Sequence, residues 1–510
     1  MRIRQTASLF FALFANLVAT SQQVITPDSY SQYSWDFERL MDRDSSELML
    51  HYTIKSHGAD PIQLLNPLVR LSYNSTLPYG YDDGAVWRGV GYNMEAHAGI
   101  SGSKGIFSYT FQPVFFFAQN APYQLVRLSQ SANAYNYQFI PGRIDWVQRF
   151  GDKPYAQINP GQSAVKLAKW GFQVSIGTQN FKVGPAIHFP ILMSNNAAGL
   201  PYLNIGTDGG QMIHFGEFEI GEFESNFIYA RMKESPYFDA NDSNDNRYYN
   251  SMHYGFSPAI LPELTIGFNR VLYKQSRYWA LKDLGAPFFD QFKEVKVVNG
   301  DTITSPNDFF DQMASITMEW KFPTENFRVY GEYAVNDHTN KTIEPEHSRA
   351  YVLGLQKLFS ISTLDLIIAY EHANLSRGHT YRYRPEPTFY QHYFSRQGYT
   401  NNGQIVGSST GPGSTADHVE LKVRSRTKQF LVGMFYRRTE FDKDYFSTHN
   451  PDSDKHHIGL DIGLKAFIER DHLIFGLEGV HTYQFNRYYV EGNNKRNFYV
   501  GFSALAKINQ

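Results

Sequence analysis

The chain has 510 residues, of which 42% are hydrophobic and 19% are charged, and its formal net charge at pH 7 is -2. This near-neutral balance, with no dense stripe of Lys and Arg, argues against a nucleic-acid partner. Cysteine is absent, which excludes disulfides, thiolate zinc sites and cysteine nucleophiles.

The N-terminus has the three-part layout of a secretory signal peptide. Arg2 and Arg4 precede an apolar stretch that ends at Val18, and small or polar residues follow from Ala19 to Ser21. The apolar stretch is too short to span a bilayer as a helix. We therefore expect residues 1–21 to be a signal peptide that is removed near Ser21 on export.

One helical pattern follows, between residues 28 and 44. Tyr33, Phe37 and Leu40 recur at helical spacing, and Ser29 or Ser31 is available as an N-cap. We assign residues 22–84 to an N-terminal helical or plug region. From about Trp87 onward, the hydrophobic period becomes two.

The alternation that follows predicts strands. Ile316, Met318 and Trp320 share one face, whereas Thr317 and Glu319 share the other. The same pattern recurs at 418–424, 459–467 and 498–508. After residue 22, nothing approaches the ~18 consecutive apolar residues that a membrane helix needs.

The content of the two faces indicates a membrane barrel. Charged residues on the polar face suit a hydrated lumen, and the abundant rings, 35 Tyr and 40 Phe, suit the aromatic girdles of such barrels. At roughly 24 residues per strand with its connection, residues 85–510 accommodate about 18 strands. The sequence thus predicts an all-β fold, a large closed antiparallel transmembrane β-barrel. Its polar segments 238–251, 298–308, 400–415 and 445–457 are expected on the extracellular side.

Three local motifs fail to meet the requirements of a catalytic or metal-binding site. Residues 407–411 spell G-x-S-x-G, but Pro412 and Gly413 forbid the helix that a nucleophile elbow requires. The acidic run that begins at Asp239 lacks the Gly and the closing Glu of a calcium loop. His456 and His457 are adjacent on a strand and point to opposite faces. The sequence predicts no metal site, no cofactor and no catalytic residue.

Four blocks in a fixed order carry a family resemblance. They are R-x-x-W-x-x-R-F-G at 143–151, G-P…L-M-S-N-N-A-x-G-x-P at 184–201, G-E-F-E at 216–219, and Y-T-x-x-G-Q-x-x-G…G-P-G-S at 399–414. Together they resemble the capsule-assembly Wzi family of Gram-negative outer-membrane proteins. Val183, where an aromatic residue is expected, and His188-Phe189, where a small polar residue is expected, depart from the family pattern.

The resemblance implies an outer-membrane barrel with a helical N-terminal plug. It implies a lectin rather than an enzyme, one that attaches capsular or surface polysaccharide to the cell. The implied partners are the polysaccharide, outer-membrane lipid and the polysaccharide export machinery, with no nucleic acid. A porin or sugar channel is the alternative function, and a barrel hydrolase that uses Ser409 is a weaker third.

Sugars are bound by planar amide and guanidinium groups and by aromatic rings. The expected polysaccharide-binding residues are Arg143, Arg149, Gln162, Asn195, Asn196, Tyr399, Asn402 and Gln404, and Trp146, Tyr202 and Tyr390 could add further rings. The residues expected to shape the backbone are Gly184, Pro185, Gly199, Pro201, Gly411, Pro412 and Gly413.

Two local questions stay open at this point. Asn195 and Asn196 could instead satisfy backbone groups at an irregular turn. The apolar run from Ile187 to Met193, with turns on both sides, is interpreted as a short wall strand.

Overall fold

The computed structural model describes residues 28–41, 50–52, 62–127, 133–137, 143–289, 296–298, 301–303, 310–336, 345–383, 389–392, 394–442 and 455–508. The expected signal peptide, residues 1–21, lies outside this part of the chain. No helix among the described residues has the length and apolar character to span a membrane.

Strands dominate the described structure. The helices are α1 (Ser29–Met41) and α2 (Ala286–Phe289), with short 3-10 turns at Asp242–Asn244, Ser276–Tyr278, Leu281–Gly285, Pro323–Glu325, His379–Arg382 and Arg487–Tyr489. The strands are β1 (Leu50–Tyr52), β2 (Gln63–Asn74), β3 (Gly91–Lys104), β4 (Phe107–Phe111), β5 (Val114–Ala118), β6 (Tyr155–Asn159), β7 (Ala164–Lys169), β8 (Phe172–Gly177), β9 (Phe181–Val183), β10 (Tyr202–Thr207), β11 (Gln211–Phe215), β12 (Phe218–Lys233), β13 (Asn246–Pro258), β14 (Leu264–Gln275), β15 (Lys296–Val298), β16 (Asp301–Ile303), β17 (Asp311–Phe322), β18 (Phe327–Asn336), β19 (Arg349–Ile361), β20 (Leu364–Asn374), β21 (Thr400–Asn401), β22 (Gln404–Ile405), β23 (Ser414–Ser425), β24 (Phe430–Phe441), β25 (His457–Arg470), β26 (Leu473–Phe485) and β27 (Lys495–Ala506).

One closed antiparallel barrel contains 21 of these segments. β2 pairs with both β3 and β27, so the first wall strand closes the barrel against the last. Three wall positions are each shared by two consecutive segments, β4 with β5, β6 with β7, and β10 with β11. Counting each of these pairs as one strand gives a wall of 18 strands, which confirms the predicted barrel.

The wall has an apolar outside and a polar inside. On β17, Ile316 is 58% exposed and Met318 is 43% exposed, whereas Thr317 and Glu319 are buried at 0% and 1%. The same inversion holds on β23, where Glu420 is buried and its neighbours face outward. A soluble protein would bury the aliphatic face, so this exposed apolar band is the lipid-facing surface of a membrane barrel.

The two ends of the barrel differ in the length of their connections. At one end, hairpins turn within two residues, as at 105–106, 170–171, 216–217, 362–363 and 471–472. At the other end the connections are long, and we call the two ends the short-turn end and the long-loop end. Short turns are periplasmic and long loops extracellular in outer-membrane barrels. Of the segments expected outside, 238–251 and 400–415 attach to the long-loop end, while 298–308 and 445–457 lie largely outside the described residues.

The wall begins at Gln63, upstream of the boundary at residue 85 that the sequence pattern suggested. Pro67 lies within β2, and the pairing register shifts between Leu65 and Leu68. Because this irregularity interrupts the period of two, the alternation does not mark β2 as a strand.

Helix α1, which the sequence predicted, lies inside the lumen near the short-turn end. Its N-cap is Asp28, whose carboxylate accepts the Ser31 backbone N–H at 2.6 Å, so neither expected serine is the cap. Tyr33, Phe37 and Leu40 are buried against inward-facing side chains of the wall.

Charged pairs fix the same helix to the wall. Arg39 donates two hydrogen bonds to the Glu319 carboxylate, at 2.7 and 2.8 Å, and Asp36 pairs with Lys422. Glu319 and Lys422 lie near the short-turn ends of β17 and β23. Helix α1 is therefore bound to the wall in the short-turn half of the lumen.

Candidate functional site

Four connections from the long-loop end fold into the other half of the lumen. We call the described parts of residues 75–90, 119–154, 178–201 and 375–413 the lumen connections. Buried residues of 119–154, 178–201 and 375–413 form one cluster with inward-facing rings of the wall, whereas Val86 of 75–90 packs in a separate cluster with Val114 and Phe116. Tyr399, for example, lies with its ring centroid 5.5 Å from that of Tyr273 on β14. The interior of the barrel is thus packed with protein.

The run Ile187–Met193 is not a wall strand, so that prediction is wrong. It has no regular secondary structure and lies within the buried cluster inside the lumen. Its apolar side chains face the other lumen connections instead of lipid. A segment outside the sheet needs other partners for its backbone groups, and the wall provides them.

Two wall carboxylates bind the backbone of this segment. Glu371 accepts the backbone N–H groups of Ile187, His188 and Phe189 at 2.7, 2.9 and 2.7 Å. Glu332 accepts the Ile191 N–H at 2.9 Å. The four hydrogen bonds to these two side chains hold the segment in place.

Two tyrosines complete this arrangement from the opposite side. The Tyr390 hydroxyl donates to the Ile191 carbonyl, and the Tyr399 hydroxyl donates to the Leu192 carbonyl, each at 2.7 Å. We call Glu332, Glu371, Tyr390 and Tyr399 the lumen clamp. Sequence analysis missed its two acids, whose only signal is an inward position on an alternating strand.

A small pocket lies between the lumen connections on the long-loop side, and we call it the mouth pocket. Its volume is about 160 Å³. Trp87, Trp146 and Tyr81 supply rings, and Asn196 and Gln404 supply amides. Aromatic faces beside amide groups can pack on the apolar face of a sugar ring and pair with its hydroxyls.

A second cavity, the inner cavity, lies between α1 and the lumen connections and has a volume of about 220 Å³. Its charged lining is balanced, with the cations Arg70, Arg88, Lys182, Lys422, Arg437 and Lys465 and the carboxylates Asp36, Asp82, Asp83, Glu95, Glu420 and Glu478. Residues 79–83 border both cavities and separate them. Burial in this partition raises the pKa of Asp82 to about 6, although the Lys182 ammonium offsets part of the effect.

A comparison with known protein families shows to which family this chain belongs. A family described as capsule assembly protein Wzi matches residues 90–498. This chain belongs to the Wzi family. A search of curated protein sequences gives no match.

Solved structures share the barrel of this Wzi-family chain. The Escherichia coli protein Wzi, described as an outer-membrane protein involved in group 1 capsule assembly and a carbohydrate-binding β-barrel, aligns with a TM-score of 0.57 at 10% identity, over 86% of this chain and 83% of its own. OccAB2 of Acinetobacter baumannii aligns with a TM-score of 0.42 at 10% identity, over 89% and 100%. A BenF-like porin of Pseudomonas fluorescens Pf-5 gives 0.41 at 9% identity, over 88% and 99%. At these identities the similarity concerns the outer-membrane barrel fold.

Two of the expected sugar-binding residues of this Wzi-family chain meet in the mouth pocket. Asn196 lines the pocket and donates its side-chain N–H to the Ile405 carbonyl at 2.9 Å. Gln404, on β22, is half-buried beside it. Residues more than 200 positions apart are thus brought together.

Two others line the inner cavity. Gln162 and Asn180 exchange two hydrogen bonds of 2.9 Å. Asn195 donates to the Asp82 carbonyl at 2.7 Å, and its side-chain oxygen is buried without a hydrogen bond to any described residue. Asn195 and Asn196 therefore both satisfy backbone carbonyls, as the alternative interpretation proposed.

The remaining four differ in exposure. Arg149 is buried and donates to the Asn120 carbonyl at 2.9 Å and to Asp152 at 2.8 Å. Tyr399 is buried in the lumen clamp. Arg143 and Asn402 are exposed. No sugar contact of these eight residues is tested by the geometry, so each stays a prediction.

The expected backbone-shaping residues all lie in the lumen connections, at Gly184, Pro185, Gly199, Pro201, Gly411, Pro412 and Gly413. Gly411 has a φ of 81°, and a Cβ there would lie 2.8 Å from the ring of Trp146. At Gly199 a Cβ would lie 1.9 Å from the Thr178 carbonyl oxygen. Both glycines allow close approaches that any side chain would block.

Proposed function

We propose that this protein binds capsular or surface polysaccharide at its long-loop end, and anchors it to the cell or helps to assemble it, without catalysing a reaction. The protein acts in the outer membrane of a Gram-negative bacterium after export by its signal peptide. Its partners are the polysaccharide, the surrounding lipid and the export machinery.

The filled lumen is the observation that carries this proposal. In the described part of the chain, α1 occupies the short-turn half and the lumen connections occupy the long-loop half. A porin needs a continuous aqueous path, and large barrels with a filled lumen do not provide one. The packing therefore favours a binding role over the channel alternative.

The mouth pocket is the place where we expect the polymer to make contact. Trp146 lines the pocket with a ring, and Asn196 and Gln404 line it with side chains that carry amides. The pocket is smaller than the ~300 Å³ typical of small-molecule sites. It suits one sugar unit of a longer chain, with exposed Arg143 and Asn402 available to neighbouring units.

Binding of purified capsular polysaccharide to the protein in detergent tests the proposal. We expect Gln404→Ala combined with Asn196→Ala to weaken binding about tenfold, equivalent to about 1.4 kcal/mol, because two pairs of hydrogen bonds are lost. The matched control is Gln429→Ala, an exposed glutamine at a short turn. Equal binding by the double variant and the wild type would contradict a role of the mouth pocket in polysaccharide binding.

A deletion strain tests the cellular role. Loss of the protein should release capsule from the cell surface into the medium, where it can be measured by its uronic acid or total sugar content. A strain that keeps all its capsule attached would contradict the anchoring role.

A further inference from the structure

Three side chains with metal-binding atoms converge in the inner cavity. His188 comes from the lumen connection 178–201, while His418 and Glu420 project inward from β23. The Nε2 atoms of His188 and His418 lie 3.5 and 3.8 Å from Oε2 of Glu420. Within the described residues, one ligand atom from each of the three lies within 4.8 Å of the others.

The imidazole of His418 is buried and that of His188 is half-buried, and both have ring nitrogens without a hydrogen-bond partner among the described residues. Nε2 of His188 and both ring nitrogens of His418 have no hydrogen bond to any described residue. Buried polar atoms are normally hydrogen-bonded, and a cluster of exceptions needs an explanation. Here several unpartnered nitrogens face a single carboxylate, inside a cavity of about 220 Å³.

We propose that His188, His418 and Glu420 bind one divalent transition-metal ion, such as Zn²⁺. Two imidazoles and one carboxylate form a common three-residue ligand set for this ion, with a fourth position left for an exogenous ligand. That fourth position opens into the inner cavity, where a water or a hydroxyl oxygen can occupy it. The proposal does not depend on polysaccharide binding.

The site would connect three parts of the plugged lumen. The metal joins the lumen connection 178–201 to wall strand β23, and the other oxygen of Glu420 accepts a hydrogen bond from Tyr33 of α1. Lys422 competes for the carboxylate, since its Nζ lies 3.0 Å from Oε2 of Glu420, but it also pairs with Asp36. The metal ion must therefore displace the Lys422 ammonium from Oε2 of Glu420, and Lys422 then keeps its pair with Asp36. The bound ion should stabilise the packing between the two halves.

Metal titration of the tag-free protein in detergent, after treatment with a chelator, tests the proposal. We expect one Zn²⁺ per chain by calorimetry and elemental analysis. His188→Gln and His418→Gln should each weaken binding at least about tenfold. His97→Gln is the matched control, because His97 lines the same cavity outside the cluster, and it should bind Zn²⁺ as the wild type does.

Two results would overturn the proposal: a wild-type protein that binds no Zn²⁺, or cluster variants that bind it as tightly as the wild type. A second measurement does not depend on the folding of any variant. With one equivalent of Cu²⁺, the wild-type protein should give an electron paramagnetic resonance spectrum with hyperfine structure from two imidazole nitrogens. A spectrum without nitrogen coordination would contradict the assigned ligands.

Discussion

The two halves of the lumen are filled in different ways. In the short-turn half, α1 satisfies most of its own backbone groups, and only its side chains bind the wall, as in the Arg39–Glu319 pair. In the long-loop half, the run Ile187–Met193 belongs to no strand, so wall carboxylates bind its N–H groups and tyrosines of the lumen connection 375–413 bind its carbonyls. The inward polar face of the wall therefore serves as a set of partners for the plug as well as a hydrated surface.

The largest effect should follow from Glu371→Ala in the long-loop half. Three N–H groups, of which that of Phe189 is buried and the other two are half-buried, would lose their acceptor. A buried group left unsatisfied costs about 1–3 kcal/mol. We expect faster hydrogen exchange across residues 178–201, with little change in α1, and a lower free energy of unfolding in detergent. Glu217→Ala, at an exposed short turn, is the control, and an equal effect of both changes would contradict the clamp.

A smaller loss in the free energy of unfolding is expected from Arg39→Met in the short-turn half. Breaking a buried ion pair costs up to about 3–5 kcal/mol, but Glu319 keeps Arg328 as a second partner, so we expect about 2 kcal/mol. Hydrogen exchange should now increase in α1 and stay unchanged in residues 178–201. Lys428→Met, which removes an exposed pair with Glu38, should change stability by less than about 1 kcal/mol. Increased exchange in both halves would show that they do not act separately.

The pH dependence of stability should report on the rim of the long-loop half. Burial raises the pKa of Glu234, which follows β12, to about 7, although a hydrogen bond from Gln397 offsets part of the effect. Because the folded protein holds this proton more tightly than the unfolded chain, the contribution of Glu234 is full below about pH 4 and is lost as the pH rises through 7.

Glu234→Gln should remove that pH dependence. We expect the variant to gain about 1–2 kcal/mol over the wild type at pH 8, and no advantage at pH 4. Denaturant unfolding at both pH values measures the difference. A constant offset between the two proteins across the range would mean that the Glu234 carboxyl titrates as it does in the unfolded chain.

The smallest effect should come from Asn195→Ala at the partition between the two cavities. The change removes one hydrogen bond to the Asp82 carbonyl together with an unpartnered amide oxygen. We expect a loss of about 1 kcal/mol in the free energy of unfolding. No measurable loss would favour a direct role of Asn195 in ligand contact over a structural one.

Alternation and chain length were sufficient to predict the barrel and its approximate strand number, and helical spacing predicted the helix near the N-terminus. The sequence pattern gave wrong predictions where the hydrophobicity of a segment does not reveal its surroundings in the fold. The run Ile187–Met193 is apolar because it packs in a protein-filled lumen, and hydrophobicity alone cannot distinguish that environment from lipid. Strand β2 was not predicted, because its pairing register is irregular near Pro67 and the period of two is interrupted there.

The candidate site was predictable only in part. Asn196 and Gln404 were identified from motifs, and the structure brings both to the mouth pocket. His188 and His418 meet across 230 positions, with ring centroids 3.8 Å apart. No spacing rule relates residues that a barrel connects through its lumen, so this cluster could not be read from the sequence.

Single-channel recording in planar lipid bilayers tests the central claim, that α1 and the lumen connections together close the barrel to ions. The purified wild-type protein should insert without steady conductance, and Arg39→Met should stay closed as well, because the lumen connections still occupy the long-loop half. A wild-type protein with stable ohmic conductance steps would contradict the account and restore the porin alternative.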